Sequence, residues 1–522
     1  MNHKPNGSAN DSNHFDAIVI GSGIGGLTTA SILAQLKNKR VLVLERHFKL
    51  GGFTHSFRRG KYEWDAGVHY VGQMLPGSLT RRVMDLVTRN GVDWYRMQAP
   101  VERFVFPEES FEVPDGAEAF MDKLIVRFPH EEKAIRNYFR DIKRAQSWLA
   151  RWFTMKQYPA AVASVVNRFG RSLAMMTTNE YLADIQDPLL KAILTAQWPD
   201  FGSAPDESAF AFHATVTADF MDGGFYPIGG SKLIAEHAAK AVEDRGGKCL
   251  VNHEVEEIIL RNGKAVGVRA RIKGKELEYF APLIISNAGG VTTFGKLLPN
   301  GVAPREQEMI RRLKPGTSAN ILFLGLNDDP RAHGFDESNY WLYSRLDHDT
   351  KARFRDGEPD RIDGCFVSFG SLRNPGQTPH TAQIISFADA SEWSAYEEAT
   401  WKRRGEAYES RKAEVAEKML AYAEERLPGL RRLVDFQELS TPFSVKSFTG
   451  HEGGAIYGQA CDPNRLERDC WPIVTSVPNL YLTGSDVGTP GVNGALMAGV
   501  MTAGKLMGWL GLPRIMTKLF AS

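Results

Sequence analysis

The sequence predicts an α/β protein with a second, α+β domain inserted into the first, and three stretches carry that prediction. Phe15 to Arg46 (FDAIVIGSGIGGLTTASILAQLKNKRVLVLER) reads as strand, glycine-rich turn, helix and strand within about 30 residues. Residues 226–290 return to α/β texture after a long helical interval. Residues 480–508 (LYLTGSDVGTPGVNGALMAGVMTAGKLMG) repeat the order strand, glycine-rich loop, helix.

Taken in order, Ala17 to Ile20 is a short apolar strand, a helix is expected from about Gly25 to Lys37, and Val41 to Leu44 is the next strand. From about Thr80 to Phe220 the pattern is helical. Ile135, Tyr138, Phe139, Ile142, Leu149, Trp152 and Phe153 recur at three- and four-residue steps, as one face of an amphipathic helix. YPIGGSKLIAEHAAKAVEDRGG reads as turn and helix, CLVNHEVEEIIL as one strand, and RNGKAVGVRARIKGKELEYF as a hairpin with an Asn-Gly turn. Leu283 to Ser286 is a buried strand running into Asn287, and residues 300–445 mix strands with a charged helix, Glu406 to Arg426. No internal repeat is present. One nucleotide-binding domain is therefore expected from residues 15–79, 226–299 and 446–510. A substrate-binding and helical domain takes 80–225 and 300–445, with a disordered tail at 1–14 and a C-terminal tail at 511–522.

Bulk composition narrows the function classes. The chain has 522 residues, more than one hydrophobic core usually serves. Lys plus Arg is 63 and Asp plus Glu is 62, a balance with no global field to attract nucleic acid or an anionic membrane. Cys249, Cys365, Cys461 and Cys470 form neither a CxxC pair nor a zinc spacing, so free thiols in a reducing, cytoplasmic setting are expected and no metal site is read. The polar N-terminus has no apolar core of a secretory signal, and no apolar run reaches the ~18 residues that span a bilayer.

Gly21, Gly23 and Gly26 give GxGxxG, with Gly25 as an extra glycine and Ile24 between them. In this pattern the first glycine permits the tight turn, the second admits a pyrophosphate, and the third allows close helix–strand packing. The helix that follows directs its unpaired N–H groups at the phosphates. Glu45 stands 19 positions after Gly26, at the end of the second strand, where a carboxylate accepts from a ribose diol and repels a 2′-phosphate. The C-terminal stretch favours FAD over NAD. Asp486 follows a strand and is placed to hold ribityl hydroxyls, and the helix opening at Gly491-Val492-Asn493-Gly494-Ala495 can stabilise the anion formed at the flavin N1/C2 edge on reduction. A second GxGxxG after a strand is missing, which leaves NAD(P)H, a quinone, oxygen or a protein open as electron donor or acceptor.

These motifs, with GGFTHSF, YEWDAGVHYVGQM (62–74), YPIGGSKLIAEHA and IISNAG (284–289), resemble the flavoprotein family of phytoene desaturases, carotenoid isomerases and retinol saturases. WDAGVHY is nearest to the retinol saturases. The resemblance covers the nucleotide domain and hardly touches the helical middle. It implies a Rossmann-like FAD domain, with phosphate contacts at Gly21 to Gly26 and ribose contact at Glu45-Arg46. It also implies that Gly51, Gly52, Phe53, Thr54, Gly67 and Val68 run along the ribityl and isoalloxazine, and that Val255 meets adenine through its backbone. Asn287, Ala288 and Gly484 fall in the same motifs, beside Asp486, Val492, Asn493 and Ala495.

The implied reaction is hydride exchange between flavin N5 and a carbon of an apolar polyene or isoprenoid lipid. Such a substrate delocalises positive charge, so aromatic walls serve it better than strong bases. His69 and Tyr70 are the leading proton-handling candidates because they follow a loop expected beside the flavin, and a histidine can titrate near neutrality. His213 is a third candidate, for the substrate side; Asp65 is expected to fix backbone. A polyene cis–trans isomerase, an amine oxidase and a prenyl-binding escort protein are the alternatives. Ser147 to Met176 interleaves Trp148, Trp152, Phe153 and Tyr158 with Arg151, Lys156, Arg168 and Arg171, and LMGWLGLPRIMTKLF is similar, so peripheral membrane contact is also expected.

Overall fold

The computed structural model describes residues 13–350, 362–397, 403–467 and 471–521. Residues 1–12 of the expected tail, and Cys470, lie outside them. Five parallel strands make the first sheet, in the order Leu480–Leu482, Ile284–Ser286, Ala17–Ile20, Val41–Leu44, Lys248–Leu250. Its strands come from three separated stretches of chain. Ala17–Ile20 and Val41–Leu44 are buried at every position, as a parallel sheet covered on both faces requires.

The helix after the glycine turn, Ile24–Lys37, is buried without a break from Ile24 to Ala34. It packs on the sheet and also against the helices Gly491–Leu506 and Lys232–Glu243. Small residues make this possible. A Cβ on Gly499 would lie 2.5 Å from Thr28 Cβ and 2.6 Å from the Gly25 carbonyl oxygen, so the two backbones approach at van der Waals distance. Asn38, left-handed at φ +50, closes the helix and turns the chain into the second strand.

One expected strand is two. Within CLVNHEVEEIIL, Lys248–Leu250 pairs in parallel with Val41–Leu44, whereas Glu254–Arg261 joins a separate antiparallel sheet with Lys264–Ile272 and Lys275–Phe280. Asn252, at φ +57, makes the break. The Val251–His253 turn donates N–H groups to the carbonyls of His47 and Glu45, which brings Val255 beside the end of the second strand. Asn262 and Gly263 are both left-handed (φ +50 and +71), the conformation a tight type I′ hairpin demands.

A seven-stranded mixed sheet forms the other half. Its order is Val434–Ser440, Ser318–Leu326, Thr381–Ala388, Gly364–Ser368, Asn339–Tyr343, Glu102–Val105, Ser110–Val113. The helix Glu406–Arg426 packs on one face, and the helical stretch from Ala117 to Phe220 covers the Glu102–Val113 end. Glu132–Met155 is the amphipathic helix expected from the periodicity, with Ile135, Tyr138, Phe139, Ile142, Leu149 and Trp152 buried. The hairpin Ser56–Arg59/Tyr62–Asp65 ties the halves together: Trp64 Nε1 donates to the Leu324 carbonyl at 3.0 Å, and Arg59 pairs with Glu438 at 2.6 Å.

Candidate active site

The glycine turn is assembled by close approach. Gly21 is left-handed (φ +93), a Cβ on Gly26 would strike the Gly21 carbonyl, and one on Gly25 would sit 2.5 Å from Gly484 Cα. Asn287 lies over the turn, so that a Cβ on Gly23 would fall 2.7 Å from its Nδ2. Gly51 and Gly52, at φ +111 and +56, bring a second loop against the first, and the Gly51 N–H donates to Ser22 Oγ at 3.0 Å.

Glu45 is buried beneath this turn at 6% exposure. Its Oε2 accepts from the Ser22 N–H (2.8 Å) and hydroxyl (2.6 Å), and its Oε1 from the His47 N–H (2.8 Å). A carboxylate has about four acceptor positions, so one remains for a ligand hydroxyl. The side chain therefore has two duties: it holds the glycine turn to the second strand, and it faces the cavity.

That cavity has a volume of about 830 Å³. It begins at Glu45, Arg46 and Val255, passes Gly21, Gly23, Ile24 and Gly25, and continues along Gly51 to Thr54 and Gly67-Val68. Asn287, Ala288, Asp486, Val492 and Ala495 line its other side. Asp486 Oδ2 accepts from the Gly290 N–H at 2.8 Å. The helices Ile24–Lys37 and Gly491–Leu506 both open on the cavity without a capping side chain or an acidic residue in the first turn. Two unpaired helix N-termini, a glycine cradle and a carboxylate with a spare acceptor position fit a long dinucleotide anion.

Beyond Gly67 the cavity widens into an apolar chamber. Ile321, Phe323, Trp341, Phe366, Ile385 and Phe387 form its walls. His69 is in the wall, its ring edge-on to Phe366 at 5.1 Å between centroids. Burial, with the Arg373 charge beside it, lowers His69 to about 3. It is neutral at physiological pH, which corrects the expectation that it titrates near neutrality. Arg373 itself is fully buried and donates to the His69 carbonyl (2.7 Å), the Glu337 carbonyl (2.9 Å) and Asn339 Oδ1 (2.6 Å).

Other expected site residues also turn elsewhere. His213 is in the helical core, 1% exposed, with Nε2 at 2.8 Å from the Tyr138 hydroxyl and burial lowering it to about 3. It does not reach the cavity because the helix Phe210–Phe220 presents that face to Glu132–Met155. Asn493 donates to the Gly72 carbonyl (3.1 Å) and Asp219 (3.3 Å) and does not line the cavity. Gly26 and Gly484 sit behind the wall as packing positions. Asp65 fixes backbone as expected, accepting from Ser56 Oγ, the Tyr226 hydroxyl and the Ser231 N–H.

Tyr70 lies one layer behind the wall, stacked on Phe220 at 4.0 Å, and donates to Asp200 Oδ2 at 2.6 Å. Asp200 does line the chamber. Sequence reasoning passed over it, and also Glu102, which is 3% exposed and accepts from Trp341 Nε1 at 2.5 Å. Burial raises Asp200 to about 7; burial and the neighbouring Asp200 charge raise Glu102 to about 8. The one sequence signal for Asp200 is a lone carboxylate ending the apolar run LLKAILTAQWP.

A glycine-lined dinucleotide cleft opening into an apolar chamber defines a nucleotide-dependent oxidoreductase. Residues 24–507 match the flavin containing amine oxidoreductase family, and the chain belongs to it, with FAD as its cofactor. It is 31% identical to all-trans-retinol 13,14-reductase of Homo sapiens, over 94% of this chain and 85% of the relative. It is 27% identical to prolycopene isomerase 1 of an Oncidium hybrid cultivar, over 97% and 86%. These relatives place it in the retinol saturase-like branch. A putrescine oxidase solved with putrescine shares the fold, with a TM-score of 0.64 at 16% identity over 95% of this chain and 99% of that one.

Replacing Glu45 with Ala is expected to weaken FAD retention at least tenfold, from loss of about 1.5–3 kcal/mol of charge-assisted hydrogen bonding, as read by flavin absorbance after dialysis with circular dichroism unchanged. His213 gives a pH prediction. Its lowered folded-state pKa means that unfolding takes up a proton below about pH 6.5, so stability is lost as pH falls. His213→Gln removes that uptake, and its stability relative to wild type should improve by about 2 kcal/mol between pH 7 and 5 in denaturant melts.

Proposed function

We propose that this flavoenzyme saturates a carbon–carbon double bond of an apolar, conjugated polyene of retinoid or carotenoid type. The observation that carries this reading is the chamber: aromatic and branched aliphatic walls, a neutral histidine, and an acid that burial raises to about 7. An ammonium substrate would need an ionised partner that such walls disfavour. Bound flavin supplies hydride exchange at N5. The protein supplies orientation and water exclusion, with Trp341, Phe366, Phe323 and Phe387 packing along a flat π-system. His69 is a neutral contact in that wall.

Anaerobic reduction of the purified holoenzyme followed by all-trans-retinol should reoxidise the flavin and give a product heavier by two hydrogens. A product of unchanged mass, formed only with reduced flavin, would instead mark a cis–trans isomerase. Failure of every polyene, with peroxide released from amines, would replace the proposal.

We also infer that the enzyme docks on lipid to reach such a substrate. Trp148 and Trp152, expected to face lipid, are core residues at 2% and 7% exposure. The neighbouring Tyr158, Val162, Val165 and Phe169 are exposed, with Arg168 among them, and so is Trp509. Gln157 ties the two places together, donating to the Met501 carbonyl at 2.7 Å and accepting from Lys505 Nζ at 2.8 Å. The described helices include none long and apolar enough to cross a membrane, so contact would be peripheral. Flotation with phosphatidylserine vesicles is expected, and Val162→Glu with Val165→Glu should reduce it severalfold; no flotation on any lipid defeats the proposal.

A further inference from the structure

We propose that Asp200 is the proton donor to the substrate, held in place by a buried hydroxyl and acid, Tyr70 and Glu102, that stand behind it. The inference rests on the polyene-saturating reading above and names the group that completes it. Saturation adds hydride to one carbon and a proton to its neighbour, and the protein must hold that proton inside an oily chamber.

Among the groups lining the chamber, Asp200 is the carboxyl with a hydrogen-bonded file of proton holders behind it. Asp200 ends the short 3-10 turn Trp198–Asp200 and is partly open to the chamber. Its turn is anchored on both sides: Trp198 stacks on Phe387 at 4.8 Å, and Thr317 Oγ1 donates to the Gly202 carbonyl. Tyr70 donates to Asp200 Oδ2 and borders the Glu102 carboxyl, so three acidic groups form a file leading away from the chamber wall. Glu102 is fixed by Trp341 Nε1 and by Asn339 Nδ2 at 3.3 Å.

No cation pairs with Asp200 among the described residues. The groups that feel the Asp200 charge are Tyr70, Glu102 and the Tyr343 and Tyr457 hydroxyls; neutral His69, His348, Asp347 and the Arg345–Asp363 ion pair line the same cavity, and Arg373 lies on the Glu102 side. Arg373 spends its donors on the His69 and Glu337 carbonyls and Asn339. An unpaired carboxyl among phenols and a second acid retains its proton to near neutrality, which is where a general acid works best.

The balance closes. Bound in its reduced form, the cofactor would supply the hydride for one carbon of the C=C and be reoxidised by that transfer; Asp200 gives its proton to the π pair at the adjacent carbon and becomes a carboxylate. Tyr70 donates to that carboxylate, and water entering after product release returns the proton.

The test compares wild type, Asp200→Asn, Asp200→Ser and Asp200→Glu as FAD holoenzymes, with two asparagine and serine variants so that a folding failure of one leaves the other. With dithionite-reduced enzyme and all-trans-retinol, the Asn and Ser variants should keep their flavin spectrum and lose about 10²–10⁴-fold in reoxidation rate, with Glu recovering part of it. In deuterated water the wild-type product should gain one solvent deuterium on carbon. Tyr70→Phe should move the pH midpoint of the rate upward, which a merely structural role would not do. Asn and Ser variants at wild-type rate overturn the inference. If wild type reduces no polyene, the functional reading falls by itself, and infrared spectra then decide Asp200. A carboxylic-acid band present in wild type on the acid side of neutrality and missing in Asp200→Asn supports a proton-holding Asp200; no such band overturns it.

Discussion

The backbone contact between two helix beginnings governs this molecule. Ile24–Lys37 and Gly491–Leu506 come from opposite ends of the chain and meet where Gly25 and Gly499 leave no room for a Cβ. Because they meet there, both N-termini face one cavity, and their partial positive charges act on a single anionic ligand. Side chains at those two positions would part the helices and open the cradle. The parallel sheet beneath is buried on both faces and fixes the angle from which each helix enters.

Electrostatically the two ends of the cavity differ. At the nucleotide end, backbone N–H groups and Glu45 offer strong polar contacts close to solvent. In the chamber, burial shifts three groups toward their uncharged forms: His69 loses affinity for a proton, while Asp200 and Glu102 gain it. One cause, burial without a matched counter-charge, produces both shifts with opposite signs. Arg373, buried as well, has its donors met by three acceptors.

Much of the nucleotide half was legible in the sequence, because its constraints are local. A strand of four, a glycine turn and a helix are encoded by adjacent residues, and Ala17–Ile20 and Val41–Leu44 fall at the expected bounds. The chamber was not legible, since Trp341 and Phe366 meet through pairing of separated strands and Asp200 reaches them from the turn Trp198–Asp200, far earlier in the chain. His213 and Trp148 misled for one reason: periodicity tells which residues share a helix face, but not whether core, cavity or solvent lies opposite. Asn252 hid the split of one strand into two, because an asparagine in the left-handed region looks like any polar strand residue.

The neutral chamber has a consequence for traffic. With Phe323, Trp341, Phe366 and Phe387 on its walls, and the lining charges Arg345 and Asp363 paired with each other at 3.0 Å, it offers an entering solute a largely oily surface. Entry is then ranked by how readily a molecule leaves water, and is largely indifferent to ionic strength. A product that differs from its substrate by one double bond is nearly as oily and has little reason to depart into water, so a nearby lipid phase would serve as its exit as much as its source.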